Sequence, residues 1–370
     1  MARELLKGNQ AIAEASVRAG LEAYFGYPIT PQTELLEWLA IRMPELGRAF
    51  VQAESELAAI NMVYGAACTG ARVMTSSSSP GTSLMMEGFS YIAGTEIPVV
   101  MVDVMRGGPG LGNIAPSQGD YKQIVHGGGH GDYRPIVLAP ASIQESIDLV
   151  VQAFDIAEYY KTIVYLLIDG SIGQMMEPAE LPAMRPIKKK HFDWAVDGTP
   201  GRPRRHLSSI QIDPVEEEIT NRRLMARWLE AKGKEIRYKE YYMDDAKIAV
   251  IGFGTAGRMA LSAVRSARAE GLPVGLVRPI SLNPFPDALI KDVAKKVDKV
   301  LVVEMNGGQM LDDVMIAVDN HAPIEFYGRM GGMASLPDEV LDEILRISKQ
   351  ATPDKGHPRD RWLKRIISTN

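Results

Sequence analysis

The apolar run IPVVMVDV at residues 97–104 constrains the fold of this chain more than any other segment. Its near-continuous hydrophobicity is typical of a strand buried on both faces, as in a parallel sheet covered by helices on each side. Strand-like and helix-like segments alternate around it up to about residue 170, and again from Ala246 onward. This repeated pattern predicts an α/β fold with two doubly wound parallel-sheet domains.

The same pattern divides the chain into three regions. We expect a first α/β domain over residues 1–175, a linker and arm over 176–245, and a second, smaller α/β domain over 246–370. The middle region begins rich in proline and basic residues and continues as a charged helical segment. Such a change of composition is typical of a linker that leads into an exposed helix.

Composition narrows the class of protein. The chain has 370 residues, a net charge of −5 and a single cysteine, Cys68. The negative charge argues against a nucleic-acid partner, and the sequence has no apolar run of the ~18 residues that a membrane-spanning helix needs. One cysteine fits a reducing compartment and cannot ligate a four-thiolate iron–sulfur cluster. The first residues also lack the apolar core of a signal peptide. From these features together we expect a cytoplasmic protein, and we expect no metal site on this chain.

Polar residues collect where the predicted strands end. Thr30 lies between two prolines in YPITP, Glu54 and Glu56 flank Ser55 at the start of a helix, and Arg106 directly follows the apolar strand. The carboxyl edge of an open parallel sheet is where ligands bind. An arginine there has little water to solvate it and requires an anion. These residues predict a site for an anionic small molecule, with general acid/base chemistry at a glutamate.

Two loops extend this edge. The segment TSSSSPG at residues 75–81 places Ser78 and Ser79 at the end of another strand. The glycine-rich loop, residues 105–134, carries His130 and Asp132 near its end. A loop of this length in a compact domain is usually functional or disordered. His130 and Asp132 could serve the site or order the loop, and the sequence leaves both roles open.

A glycine motif in the second half suggests a different function. The sequence GFGTAG at residues 252–257 follows a predicted strand and opens a helix, which is the context of a dinucleotide-binding fingerprint. The next strand ends in Arg278 instead of the acid that would bind a ribose. Arginine there would suit the 2′-phosphate of NADP, so an NADP-binding enzyme is an alternative. A tight strand–helix turn without a ligand is the favoured interpretation.

Motifs along nearly the whole chain resemble the pyrimidine-binding, alpha-type subunit of 2-oxoacid:ferredoxin oxidoreductases. They are GYPITP at 26–31, QAESE at 52–56, NMVYGA at 61–66, MTSSSSPG at 74–81, YIAGTEIP at 91–98, MRGGPGLG at 105–112, GGHGDYR at 128–134, RPISLNPFP at 278–286 and VVEMNGGQM at 302–310. Among subfamilies the chain most resembles the 2-oxoisovalerate (3-methyl-2-oxobutanoate) type, with the 2-oxoglutarate type next. In this family the second half is similar to the C-terminal domain of transketolase, which binds no nicotinamide.

The resemblance implies an oxidoreductase that uses thiamine diphosphate to convert a 2-oxoacid, CoA and oxidised ferredoxin into acyl-CoA, CO2 and reduced ferredoxin. It also implies that the cofactor is shared between two subunits. This chain lacks the GDG triplet of the diphosphate-binding subunit. The resemblance therefore implies a partner subunit that carries Mg2+, the diphosphate site and [4Fe-4S] clusters, together with gamma and ferredoxin-like subunits.

By position, the resemblance also implies roles for individual residues. Glu56 would hydrogen-bond N1′ of the cofactor's pyrimidine ring, with Glu54 as the second candidate, and Thr30 and Arg106 would meet the substrate carboxylate. The remaining alternative is a non-catalytic scaffold with the same fold, against which the presence of Glu56, Thr30 and Arg106 argues. The residues expected to line the cofactor pocket are Pro28, Ile29, Glu56, Ser78 and Ser79.

Overall fold

The computed structural model describes residues 3–187, 192–198, 200–350 and 355–368, which form fourteen strands and thirteen helices. The strands are β1 (Glu4–Lys7), β2 (Ala23–Gly26), β3 (Ala49–Gln52), β4 (Val73–Ser77), β5 (Val99–Met105), β6 (Ile136–Leu138), β7 (Ile163–Asp169), β8 (Met176–Ala179), β9 (Tyr238–Tyr241), β10 (Ile248–Ile251), β11 (Val274–Pro279), β12 (Ser281–Asn283), β13 (Lys299–Glu304) and β14 (Ile324–Gly328). The helices are α1 (Gly8–Arg18), α2 (Thr33–Glu45), α3 (Glu56–Ala67), α4 (Ser79–Gly94), α5 (Tyr121–Val125), α6 (Ile143–Tyr160), α7 (Gly170–Gln174), α8 (Pro214–Lys234), α9 (Gly254–Ala269), α10 (Asp287–Ala294), α11 (Met310–Val318), α12 (Pro337–Lys349) and α13 (Pro358–Ser368). Within the described residues, no helix combines the length and the apolar character needed to cross a membrane.

The first sheet has seven strands in the order β12-β6-β7-β5-β4-β2-β3. The predicted apolar strand is β5, and all of its residues are buried. Val100, Val102 and Val104 face a core formed with α1, α2 and α6, whereas Met101 and Met105 face α3 and α4. Helices therefore cover both faces of the sheet, which is why its central strand carries apolar residues at consecutive positions.

The second sheet has five strands in the order β14-β13-β10-β11-β9. Helices α9 and α12 pack on one face, and α10, α11 and α13 pack on the other. The predicted α/β class is thus confirmed, with one difference in detail. Each sheet is mixed, because β9 and β12 pair antiparallel with their neighbours at a sheet edge.

Each of these two edge strands pairs with a strand from a different predicted region of the chain. Strand β9 comes from the segment predicted to be linker and arm, and it pairs with β11 of the second sheet. Strand β12 follows β11 in the chain but returns to pair with β6 of the first sheet. The two sheets therefore exchange chain segments, and the limits 1–175, 176–245 and 246–370 stay predictions.

The glycine-rich loop joins the two sheets through Gln118. The Gln118 backbone N–H donates to the Met305 carbonyl over 3.0 Å, and its side-chain oxygen accepts from the Met305 N–H over 3.0 Å. The side-chain nitrogen of Gln118 donates to the Phe253 carbonyl over 2.9 Å. The side-chain amide of Asn306 donates to the backbone carbonyl of Gln118 over 2.7 Å. These bonds lie in the interior, so the middle of the loop is ordered by the second half of the chain.

The GFGTAG segment forms the tight turn favoured above. Helix α9 begins there, and the N–H and hydroxyl of Thr255 donate to the buried carboxylate of Asp169 over 3.2 and 2.7 Å. Asp169 thus occupies the helix N-terminus where a dinucleotide would place its pyrophosphate. Arg278 is only 4% exposed and makes two 2.8 Å bonds to Glu145. The geometry argues against the NADP alternative on both counts.

Arg278→Met should lower the free energy of unfolding by about 3 kcal/mol, since it leaves the carboxylate of Glu145 buried without its main partner. Burial raises the pKa of Glu145, but the hydrogen bonds and charge of Arg278 outweigh burial and lower it. The pair therefore stabilises the fold at neutral pH, and this contribution is lost as the pH falls through the lowered pKa. Denaturant titration at neutral and acid pH measures both effects.

The matched control is Lys291→Met, which removes one partner of an exposed pair with Asp319. An exposed pair contributes at most about 1 kcal/mol, so this variant should unfold almost like the wild type. Equal effects of the two substitutions would contradict the structural role assigned to Arg278.

Candidate active site

The start of α3 separates the two candidate glutamates. Ser55 caps the helix, and its hydroxyl accepts from the Ala58 N–H over 3.1 Å. This cap directs Glu56 into the interior, where it is 6% exposed, while Glu54 stays exposed. Of the two carboxylates, Glu56 alone lies in a protected position.

Glu56 packs against the first turn of α4 at Gly81. A Cβ atom at Gly81 would lie 2.4 Å from Glu56 Oε1 and 2.2 Å from Ser77 Oγ. Real Cβ atoms do not approach other heavy atoms this closely, so a side chain at this position would have to displace the buried Glu56 carboxylate and the Ser77 hydroxyl. The close approach brings the Glu56 carboxylate, the end of β4 and the beginning of α4 to one point.

The four polar side chains from Thr75 to Ser78 fall into two groups, two with hydrogen-bond partners and two without. Thr75 donates to the Phe25 carbonyl over 2.7 Å, and Ser76 donates to Gln32 over 2.8 Å, so these two side chains hold the neighbouring loop. The hydroxyls of Ser77 and Ser78 are fully buried and have no hydrogen-bond partner among the described residues. Unpaired buried hydroxyls are uncommon and costly, and both lie beside the turn that contacts Glu56.

Arg106 and Thr30 meet at the same edge. Arg106 Nη1 donates to the Thr30 carbonyl over 3.0 Å and Nη2 donates to the Leu111 carbonyl over 2.9 Å. The Arg106 backbone N–H donates to Ser79 Oγ over 3.0 Å, which ties it to the first residue of α4. Its buried Nε has no partner among the described residues, so the half-buried guanidinium keeps donor capacity for an anion.

The loop that carries Thr30 is fixed from below. The Pro31 carbonyl accepts from the side-chain amides of Asn9 and Gln174 over 2.7 and 3.0 Å. Both amides also donate to Glu34 over 2.9 Å, and Lys7 donates to Glu34 over 2.7 Å. Burial raises the pKa of Glu34, but these donors outweigh burial and lower it to about 2. A charged carboxylate therefore organises the base of the loop at any physiological pH.

Of the other residues named from the sequence, Pro28, Ile29 and Ser79 lie at the same sheet edge as Thr30 and Arg106, whereas His130 and Asp132 do not. Pro28 and Ile29 are half-buried next to Thr30 in the chain, and Ser79 contacts Arg106. His130 instead lies 3.3 Å from Ser90, towards the far end of α4, and Asp132 is exposed. His130 and Asp132, whose roles the sequence left open, thus lie away from the group formed by Glu56, Ser79 and Arg106. The catalytic and binding roles assigned from the sequence stay predictions.

Sequence reasoning missed two buried carboxyl groups behind Arg106. Asp120 accepts from the Ser79 hydroxyl over 2.5 Å, and Asp103 accepts from the Thr82 hydroxyl over 2.7 Å. Asp103 is 0% exposed and Asp120 is 9% exposed. One signal was available, since Asp103 is the sole charged residue within the apolar run IPVVMVDV.

Comparison with known families assigns the class of this chain. Residues 14–231 match the thiamine diphosphate-binding region of pyruvate flavodoxin/ferredoxin oxidoreductases, and residues 246–340 match core domain II of pyruvate:ferredoxin oxidoreductase. The chain belongs to this family of oxidoreductases. The resemblance carried by the sequence motifs is confirmed.

Individual relatives refine the comparison. The chain is 47% identical to ketoisovalerate oxidoreductase subunit VorB of Methanothermobacter thermautotrophicus, over 94% of this chain and 99% of the relative. It is 36% identical to 2-oxoglutarate synthase subunit KorA of Methanothermobacter marburgensis, over 92% and 98% of the two chains. The predicted order of subfamily likeness, with the 2-oxoisovalerate type before the 2-oxoglutarate type, is confirmed.

A solved structure shows the same fold. It is 2-oxoglutarate:ferredoxin oxidoreductase from Magnetococcus marinus with 2-oxoglutarate, coenzyme A and succinyl-CoA bound. The match has a TM-score of 0.83 at 27% identity and covers 93% of this chain. Our chain spans 65% of the length of that solved chain.

Gly81→Ala should destabilise the protein by about 1–3 kcal/mol, because the added methyl group overlaps Glu56 and Ser77. Gly65→Ala in α3 is the matched control, since a Cβ there meets no atom within 4 Å. A helical glycine in open space should gain about 0.5–1 kcal/mol on replacement by alanine. Denaturant unfolding of both variants checks the opposite signs, and a neutral Gly81→Ala would contradict the close packing at Glu56.

Proposed function

We propose that this chain is the pyrimidine-binding subunit of a 2-oxoacid:ferredoxin oxidoreductase. The enzyme would convert a 2-oxoacid, CoA and oxidised ferredoxin into acyl-CoA, CO2 and reduced ferredoxin, with 2-oxoisovalerate as the preferred 2-oxoacid. The observation that carries this proposal is the buried Glu56 carboxylate packed against the turn whose Ser77 and Ser78 hydroxyls have no partner among the described residues. The 47% identity to a ketoisovalerate oxidoreductase subunit supports the choice of substrate.

The residues at this site fit the aminopyrimidine ring of thiamine diphosphate. That ring presents nitrogen acceptors and an amino donor, and Ser77 and Ser78 offer hydroxyls that can donate or accept. Glu56 offers a protected carboxyl group that can hold a proton at N1′ of the ring. When bound, thiamine diphosphate supplies the carbanion chemistry that decarboxylates 2-oxoacids. Pro28, Ile29 and Ser79 would complete this side of the pocket.

Arg106 and Thr30 would bind the carboxylate of the 2-oxoacid. The guanidinium is already oriented by two backbone carbonyls, so little side-chain freedom is lost when an anion binds. Its planar donors match a carboxylate, and Thr30 is exposed at the same edge. This chain would thus orient the substrate while Glu56 controls one proton on the cofactor.

A partner subunit would supply the remaining parts of the enzyme. The sequence contains no GDG triplet and only Cys68, whereas a [4Fe-4S] cluster takes four thiolates. Burial also raises the pKa of Cys68, which disfavours the thiolate form that a metal requires. We place Mg2+, the diphosphate and the cluster on that partner, with gamma and ferredoxin-like subunits completing an assembly that passes electrons to ferredoxin in the cytoplasm.

The second candidate substrate is 2-oxoglutarate. The 36% identity to a 2-oxoglutarate synthase subunit and the likeness to the solved 2-oxoglutarate:ferredoxin oxidoreductase support it. Both candidates share the 2-oxoacid head group that Arg106 and Thr30 would meet. They differ in the tail, which is apolar in one and carries a second carboxylate in the other.

Purification of the native complex tests the proposed function. We expect a partner with GDG and several cysteines to co-purify, and CoA-dependent reduction of a viologen dye with a higher kcat/KM for 2-oxoisovalerate than for 2-oxoglutarate or pyruvate. The isolated chain should show no turnover. Faster turnover of 2-oxoglutarate would select the second substrate, and turnover by the isolated chain would refute the two-subunit site.

Glu56→Gln in the assembled enzyme should reduce kcat by at least about 100-fold, the lower range for loss of a general acid/base group. Glu54→Gln is the matched control, because it makes the same chemical change two residues away on an exposed side chain. The control should keep wild-type turnover. Turnover by Glu56→Gln at the rate of Glu54→Gln would refute the role at N1′.

A further inference from the structure

Asp103 and Asp120 form a pair of carboxyl groups inside the first half of the chain. Asp103 lies on the central strand β5, with its side chain towards α4, and Asp120 precedes α5 in the glycine-rich loop. Both side chains are more than nine-tenths buried. They contact the same first turn of α4, Asp120 at Ser79 and Asp103 at Thr82, so that each carboxyl group affects the charge of the other. Because these carboxyl oxygens are buried away from water, their hydrogen-bond partners must come from the protein.

The hydrogen bonds around Asp103 favour a proton on this pair. Asp103 Oδ1 accepts from the Thr82 hydroxyl, but Asp103 Oδ2 has no donor among the described residues. Ionised carboxylates only accept hydrogen bonds, so two of them cannot bond to each other. A proton on Asp103 turns the unpartnered oxygen into a donor to Asp120. Every oxygen of Asp103 is then satisfied.

The surroundings place the charge on Asp120 and the proton on Asp103. Burial raises the pKa of Asp120, but the hydrogen bond from the Ser79 hydroxyl, over 2.5 Å, and the positive charge of Arg106 act in the opposite direction and favour its ionised form. Burial and the nearby charge of Asp120 raise the pKa of Asp103 well above that of an exposed aspartate. Tyr165 on β7 also faces Asp103, and burial raises the pKa of Tyr165 so that it stays neutral.

We propose that Asp103 and Asp120 are positioning residues that share one proton, carried by Asp103, and that the charged Asp120 fixes Ser79 and Arg106 for binding of the 2-oxoacid carboxylate. The Ser79 hydroxyl donates to Asp120, which leaves its lone pairs to accept the Arg106 N–H over 3.0 Å. Asp120 therefore sets the direction of a hydroxyl that holds the backbone from which the Arg106 side chain extends. The substrate part of this proposal rests on the proposed function.

Infrared spectroscopy of the assembled enzyme with isotope-labelled aspartate tests the shared proton without any turnover. At neutral pH we expect the carbonyl band of a protonated carboxylic acid that shifts with the aspartate label. Asp103→Asn should remove this band, and Asp132→Asn, a control on the exposed part of the same loop, should keep it. Absence of the band from the labelled wild type would overturn the proposal, even if no variant folds.

Kinetics test the positioning role. An asparagine at position 103 can donate to Asp120 and accept from Thr82, so Asp103→Asn should keep KM for the 2-oxoacid within about twofold. Asp120→Asn removes the charge that Ser79 contacts, and it should raise KM by about tenfold or more, with a smaller change in kcat, as expected for loss of a bond to a charged group. An Asp103→Asn variant impaired as strongly as Asp120→Asn would overturn the assignment of the proton.

The two tests separate this inference from the proposed function. If the wild-type complex turned over no 2-oxoacid while the infrared band was present and depended on Asp103, the proposed function would fail and the proton pair would stand. If the complex turned over 2-oxoisovalerate but the labelled wild type lacked the band, the proton pair would fail and the proposed function would stand.

Discussion

One buried carboxylate, Asp169, joins a helix of each half of this protein through its hydrogen bonds. Asp169 ends β7, accepts from two backbone N–H groups of α7, and accepts from the N–H and hydroxyl of Thr255 at the start of α9. It therefore caps one helix from each half of the chain. Just before α9, the Phe253 carbonyl accepts a hydrogen bond from Gln118. The Met305 carbonyl, which follows β13, also accepts from Gln118, and together these bonds order the middle of the glycine-rich loop.

The candidate site depends on packing that brings an acidic, a basic and several hydroxyl side chains to the turn between β4 and α4. The turn between β4 and α4 contacts Glu56 through Gly81, contacts Arg106 through Ser79, and holds two hydroxyls without partners. A protein that used these groups only for stability would have paired them, because each unpaired buried polar group is unfavourable. Binding of the proposed polar ring and carboxylate would satisfy these groups.

Local patterns in the sequence predicted much of the fold and part of the site. The apolar run of β5 and the strand–helix alternation predicted the α/β class. The pattern offered Glu54 and Glu56 together as site candidates, and the family resemblance selected Glu56. Contacts between distant residues could not be predicted in the same way. The pairing of β12 with β6 and the contact of Asp120 with Ser79 depend on how whole elements meet in space, and no periodicity in the sequence encodes that. The sequence predicted the tight turn at residues 252–257, but it could not identify Asp169 as the carboxylate that occupies the helix terminus there, for the same reason.

The short strand β12 has a consequence for how this protein must be made. It covers the side of β6 that would otherwise be an open sheet edge, and open edges promote pairing between chains. The residues that protect the first sheet are synthesised more than a hundred positions after most of its strands. A nascent or truncated first half would therefore expose an edge that can pair with other chains until the second half is made, which ties the solubility of the first half to completion of the chain.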